Sequence, residues 1–203
     1  MDPLVLYTAI PSRGLVVHWM LEELGVSYEC RVLDLSKSEH QTPAYRAINP
    51  MARVPALVQG DTVVTETPAI CLYLADAFPE AGLGVSVSSA ARGAFLRWIF
   101  FGPMSVEPSL FWTALGLFES DLGYHPYAPL ETVVETLEAA VRQKHFVVDD
   151  RFTAADVVLG STIFWGTELI GALPKRPALV DYWARLEQRP AWQVVRKTLH
   201  PTP

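Results

Sequence analysis

The chain of 203 residues is half apolar, 11% aromatic and only 19% charged, which excludes a disordered, collagen-like or low-complexity protein, because the apolar area is ample to offset chain entropy. Its length exceeds the usual single-domain size, leaving one large domain or two small ones open. Twenty-two acidic against sixteen basic side chains leave a net charge of −6, and no Lys/Arg block exceeds the pairs Lys175-Arg176 and Arg196-Lys197, so nucleic acid is not the expected partner.

Leu4 to Tyr7 is a short apolar run without helical partners and reads as a strand. From Ser12 to Leu24, residues Leu15, Val16, Trp19 and Met20 share one helical face until Gly25 stops it. Tyr28 to Leu33 is β-rich again and completes a βαβ unit with parallel strands. A loose helix follows from Thr42 to Ile48 and ends at Asn49-Pro50. Ala56 to Gln59 and Thr62 to Thr65 form a hairpin across Gly60-Asp61, and Pro68 to Phe78 is helical.

Pro79 and the Gly/Ser-rich stretch 82–89 break the pattern. The expected organisation is α+β: a domain over 1–80 in the order βαβ-α-ββ-α, a linker over 81–88, and an all-helical domain over 89–203. In the latter, Val133, Val134, Leu137, Ala140 and Val141 make one apolar face, whereas Ala154 to Phe164 is apolar nearly all round, as a buried central helix should be. Pro103, Pro108, Pro126 and Pro129 mark helix ends or kinks before it.

Two cysteines, Cys30 and Cys71, are too few for a disulfide framework and fit a reducing cytoplasm. The opening residues lack the basic and apolar regions of a signal peptide, and the longest apolar windows fall short of a membrane span, so no membrane association is expected. No His/Cys/Asp cluster has zinc-site spacing, His18 reads as a packed ring, and no metal is expected.

Three short motifs carry the chemistry. Pro55 in Arg53-Val54-Pro55 belongs at a strand's first position, either as an ordinary trans proline or as a cis bond that turns the Val54 backbone toward a peptide-like ligand. In Glu66-Thr67-Pro68, Thr67 is a natural N-cap with Pro68 behind it. The same helix start is also able to hold a ligand carboxylate, with Glu66 pairing an ammonium. Thr153-Ala154-Ala155-Asp156 is a capping box, which gives Asp156 a structural rather than a catalytic role.

Together with Leu6-Tyr7, Leu21-Glu22-Glu23-Leu24-Gly25, Asn49-Pro50 and Phe152 before the capping box, these motifs resemble the cytosolic glutathione S-transferase superfamily, and Lys175-Arg176-Pro177-Ala178 is similar to its bacterial members. The resemblance implies a thioredoxin-like first domain that binds glutathione, a helical second domain and an apolar electrophile site between them. It also implies a cytoplasmic homodimer with a role in detoxification, in which the first domain of one chain packs on the second domain of the other. By motif, Val54 would bond the cysteinyl backbone beside a cis Pro55, Glu66 and Thr67 would hold the γ-glutamyl end, and Arg53 would add a basic group.

Family members activate the thiol with Tyr, Ser or Cys between the first strand and the first helix, where this chain reads Tyr7-Thr8-Ala9-Ile10-Pro11-Ser12-Arg13. The absence of cysteine there speaks against disulfide-exchange chemistry. Ala9 stands where several serine classes carry their serine, which leaves Ser12 first, then Tyr7 and Thr8, as the candidate hydroxyl. Ser12 also reads as a plain N-cap, Tyr7 as a core residue, and Arg13 as a positive charge beside the sulfur. Ile10, Trp98, Phe101, Met104 and Trp165 are the expected lining of the electrophile pocket, although aromatic residues so spaced also build cores. The alternative to a transferase is a catalytically silent binding module of the same fold, which Ala9 permits.

Overall fold

The computed structural model describes residues 2–119 and 124–199. Contacts divide it into two compact units, one of residues up to Gly84 together with those from Arg189 onward, the other Val85–Gln188.

The first unit contains β1 (Leu4–Thr8), α1 (Gly14–Leu24), β2 (Tyr28–Val32), α2 (Pro43–Arg46), β3 (Ala56–Gln59), β4 (Thr62–Thr65) and α3 (Thr67–Ala77). The strands form one mixed sheet in the order β2-β1-β3-β4, with β1 parallel to β2 and antiparallel to β3, and β3 antiparallel to β4. Strand alternation sends Leu4, Leu6 and Thr8 into the core, while Val5 and Tyr7 take the other face. The core on the first face is closed by α1 and α3, through Val16, Val17, Trp19, Met20, Ile70, Cys71 and Leu74. Gly25, in the left-handed conformation, ends α1 by turning its amide back onto the Leu21 and Glu22 carbonyls.

The second unit contains α4 (Arg92–Phe101), α5 (Glu107–Ala114), α6 (Leu130–Val141), α7 (Ala154–Phe164) and α8 (Pro177–Leu186). Every residue of α7 from Ala154 to Ile163 is buried, so it is the central helix. Asp156 justifies that burial. One carboxylate oxygen accepts from the Val147 amide and the Tyr182 hydroxyl at 2.8 and 2.7 Å, and the other accepts from the Thr153 amide and hydroxyl at 2.8 and 3.1 Å. The expected capping box is present and the carboxylate is fully used in structure. A π-helical turn prolongs α4 over Gly102–Val106 and another prolongs α7 over Trp165–Leu169. Gly102 makes the α4–α7 crossing close, since a Cβ there would lie 2.4 Å from Thr162 Oγ1.

Two boundaries differ from the sequence reading. The helix α9 (Pro190–Leu199) groups with the first unit, not with the helical one to which the sequence assigns everything beyond residue 89, because Trp192 packs on Trp19 with ring centroids 5.0 Å apart. Residues 200–203 of that expected domain lie outside the described residues. The division between units falls at Gly84–Val85, inside the expected linker. The loose helix before Asn49 contracts to Pro43–Arg46, because the bonds of the Ile48 and Asn49 amides to the Tyr45 carbonyl close the chain into a turn.

Candidate functional site

Antiparallel register brings three segments of the first unit to one end of the sheet. Tyr7, next to last in β1, pairs with Ala56, the first residue of β3, and Ala56 in turn pairs with Thr65, the last residue of β4. The segment 8–13 leaving β1, the segment 53–55 entering β3 and Glu66-Thr67 leaving β4 therefore emerge side by side. Both α1 and α3 begin at this end, so the positive partial charge of two helix N-termini faces it.

Each segment is held by bonds specific to it. The Arg53 carbonyl accepts from the Tyr45 hydroxyl at 2.6 Å and from the Asn49 side-chain amide at 2.7 Å. Burial pushes the Tyr45 phenol up to about 12, so it stays a donor across the neutral range. Asn49 also accepts from the Met51 amide at 3.1 Å, bracing the turn that carries Ala52 at a φ of 52°. Tyr45 and Asn49 are the positioning residues that sequence reading passes over: Asn49-Pro50 signals only the end of a helix, and the bond to a carbonyl four residues on leaves no periodic trace. Arg53 is exposed, Val54 half-buried and Pro55 buried. The Val54–Pro55 bond is cis, as is Ile10–Pro11, which sequence reading does not anticipate.

At the third segment the cap is displaced by one residue. Glu66, not Thr67, is the N-cap of α3; Thr67 is the buried first residue of the helix, with Pro68 behind it. Glu66 takes this place at a φ of 68°, a conformation uncommon for a residue with a Cβ, and its carbonyl accepts the Ile70 amide at 2.9 Å. Its side chain is exposed and makes no hydrogen bond or ion pair among the described residues. The Thr67 amide, at the first helical position, has no partner within the helix.

The three candidate hydroxyls separate cleanly. Ser12 precedes rather than opens the helix: Arg13 occupies the N-cap position without a side-chain cap, and the Ser12 hydroxyl accepts the Gly14 amide at 3.0 Å. Thr8, on the core face, lies with its hydroxyl 3.5 Å from that of Ser12. Tyr7 points away. Its ring packs on Tyr45 at 5.7 Å and its hydroxyl accepts from Arg31 at 2.6 Å, on the face opposite α1. Arg13 is half-buried and acts electrostatically on Cys71, and Ala9 is buried.

Of the expected electrophile lining, Ile10 belongs to the first unit and is exposed. Trp98 is buried, with Phe101 edge-on at 5.1 Å and Arg97 stacked over its ring at 4.5 Å, so it serves the helical core. Met104 is 65% exposed on the first π turn, and Trp165, half-buried on the second, meets Phe111 at 6.1 Å. A groove of about 560 Å³ in the second unit, lined by Arg142, Lys144, His145 and Arg185 among others, contains none of these residues. Among the described residues no three His, Cys, Asp or Glu side chains gather as a metal site requires, and no helix is long and apolar enough to cross a membrane.

Known proteins resemble this chain along most of its length. The family model of the glutathione S-transferase N-terminal domain matches residues 2–76, and that of the C-terminal domain matches residues 129–190. The chain is 30% identical over 184 residues to the glutathione S-transferase GstA of Escherichia coli O157:H7, covering 89% of this chain and 90% of that one. It is 29% identical to glutathione S-transferase F9 of Arabidopsis thaliana, covering 91% of each. Among solved structures it is similar to a glutathione transferase from Methylococcus capsulatus, with a TM-score of 0.79 at 26% identity over 97% of this chain and 98% of that one. It is also similar to one from Phanerochaete chrysosporium in complex with oxidized glutathione, with a TM-score of 0.76 at 27% identity over 97% and 96%.

Proposed function

The chain belongs to the glutathione S-transferase family, and from that premise we propose that it is a glutathione-dependent transferase whose Ser12 hydroxyl stabilises the glutathione thiolate for attack on an apolar electrophile or an organic hydroperoxide. The convergence of segments 8–13, 53–55 and 66–67 at one sheet end is the observation that carries this reading. Glutathione is an extended peptide with an α-amino acid at one end and a thiol at its centre. The Val54 backbone offers amide and carbonyl to the cysteinyl unit, the exposed Glu66 carboxylate suits the ligand ammonium, and the Thr67 amide at the start of α3 suits its carboxylate. Arg13 and Arg53 add positive charge near this end for a tripeptide that carries two carboxylates and, when activated, a thiolate.

The chemical step needs a stabilised anion. A free thiol with a pKa near 8.5 is mostly protonated at neutral pH, and lowering that value by about 2 units takes roughly 2.7 kcal/mol. One hydroxyl donor and the start of α1 supply interactions of that order. The thiol proton leaves to solvent. The sulfur electron pair then forms the new bond to carbon while the leaving group departs with its own pair. With a hydroperoxide the pair attacks oxygen, the O–O bond breaks to release alcohol, and a second glutathione converts the sulfenic acid to disulfide and water. Phe101, Met104 and Trp165 are accessible apolar side chains of the second unit suited to an apolar co-substrate. The protein works as a cytoplasmic homodimer in this reading, which light scattering tests directly.

Replacing Ser12 with Ala is the deciding experiment. The bound thiol's pKa should rise by about one to two units, the worth of one charge-assisted hydrogen bond, while glutathione affinity stays within a few-fold. An unchanged ultraviolet thiolate titration removes Ser12 from catalysis. Glutathione binding without turnover of aryl halides, enones or hydroperoxides would instead identify a silent binding module, and no binding at all would end the glutathione reading.

A further inference from the structure

We propose that Thr8 is a positioning residue: its buried hydroxyl donates to the Ser12 oxygen and thereby commits the Ser12 proton to the ligand side. The inference rests on Ser12 being the donor to sulfur. Thr8 is the last residue of β1, 3% exposed, and its side chain is directed at the start of α1. Gly14 makes that approach possible. A Cβ there would stand 1.9 Å from Thr8 Oγ1 and 3.1 Å from Ser12 Oγ, so only glycine allows strand end, loop and helix start to meet.

The argument is an account of lone pairs. A serine hydroxyl has one proton and two acceptor sites. The Gly14 amide fills one at 3.0 Å, and Thr8 Oγ1, at 3.5 Å, is the neighbour positioned to fill the second. With both filled by donors, the remaining proton can only point outward. Thr8 has one competing acceptor, the Ala9 carbonyl at 3.4 Å; if Thr8 donated there, it would be free to take the Ser12 proton for itself. A bound thiolate selects between the two arrangements, because an anion is a stronger acceptor than a neutral hydroxyl and because each donor in a chain of hydroxyls polarises the next. The bound state is therefore ordered from Thr8 to Ser12 to sulfur. Tyr7 cannot substitute, since its hydroxyl lies on the opposite sheet face.

The test is Thr8→Val, which keeps β-branching and volume and deletes the hydroxyl, read by ultraviolet titration of the bound thiolate alongside calorimetric glutathione affinity. The thiol pKa should rise by roughly half a unit to one unit, the scale of one neutral hydrogen bond, with affinity within a few-fold. Thr8→Ser should restore it, Thr8→Ala should move it in the same direction should valine disturb folding, and Thr8→Val added to Ser12→Ala should cause no further rise. An unchanged or lowered pKa in Thr8→Val, with Ser12→Ala still raising it, overturns the positioning role and leaves the Ser12 reading intact. A silent Ser12→Ala overturns both.

Discussion

Glu23 and Arg189, 166 residues apart in sequence, close a two-pronged ion pair that ties the last turn of α1 to the start of α9: Arg189 Nε meets Glu23 Oε1 at 2.6 Å and its terminal nitrogen meets Oε2 at 2.7 Å. Trp19 Nε1 donates to the same carboxylate at 2.8 Å, and the Glu23 side chain is only 6% exposed. Removing Arg189 leaves a nearly buried carboxylate short of its cation. Arg189→Met should cost about 2 kcal/mol, the range of hydrogen bonds to charged groups, and pairing it with Glu23→Gln should recover part of the loss. Urea unfolding of the two single variants and the double variant measures this, and additive losses would show the pair to be uncoupled.

Tyr7→Phe should leave the bound thiol's pKa unchanged and kcat/KM for any conjugated electrophile within a few-fold. Its hydroxyl is occupied by Arg31 on the far face of the sheet, where Arg31 also pairs with Glu29 at 2.7 Å. A loss of kcat of a hundred-fold or more, the scale expected for a group active in the chemical step, would contradict this geometry.

The hairpin turn at Asp149-Asp150 should respond oppositely to glycine at its two positions. Both residues adopt positive φ, 49° and 51°, where a side chain is disfavoured and glycine is not. Asp149 makes no bond that offsets this, so Asp149→Gly should raise stability by up to about 1 kcal/mol. The Asp150 carboxylate accepts the His145 and Phe146 amides at 2.6 and 3.1 Å, so Asp150→Gly should lower stability despite relieving its backbone. Thermal unfolding of both variants decides it.

Cys71 should report on alkaline unfolding. Burial pushes its thiol up to about 12, opposed only by the Arg13 charge, whereas the unfolded thiol ionises near its ordinary value of 9.0. Between these values the unfolded chain has lost a proton that the native chain retains. Stability therefore falls as pH rises, by at most about 1.4 kcal/mol per unit from this group. Cys71→Ala should flatten that slope above pH 9. In the native protein at neutral pH a thiol reagent should modify the exposed Cys30 and spare Cys71, both reacting after denaturation.

Much of the fold is written in local chemistry. Short apolar and β-rich runs mark the four strands, a shared apolar face marks α1 and α6, unbroken apolarity marks α7, Gly25 marks the end of α1, and the Thr153–Asp156 spacing states its capping box outright, because each depends on neighbours within a few residues. The three site segments were equally visible as motifs. Only the tertiary structure decided how they act. Alternation puts Tyr7 and Thr8 on opposite faces, but which face receives α1 depends on packing, and that packing set Thr8 beside Ser12 and turned Tyr7 toward Tyr45 and Arg31. The clamp of Tyr45 and Asn49 on the Arg53 carbonyl, the shift of the α3 cap from Thr67 to Glu66, and the return of α9 to α1 all arise from contacts that close only when the chain folds back on itself. Such contacts are selected by shape and buried hydrogen-bonding need across long sequence separations, which composition and periodicity do not encode.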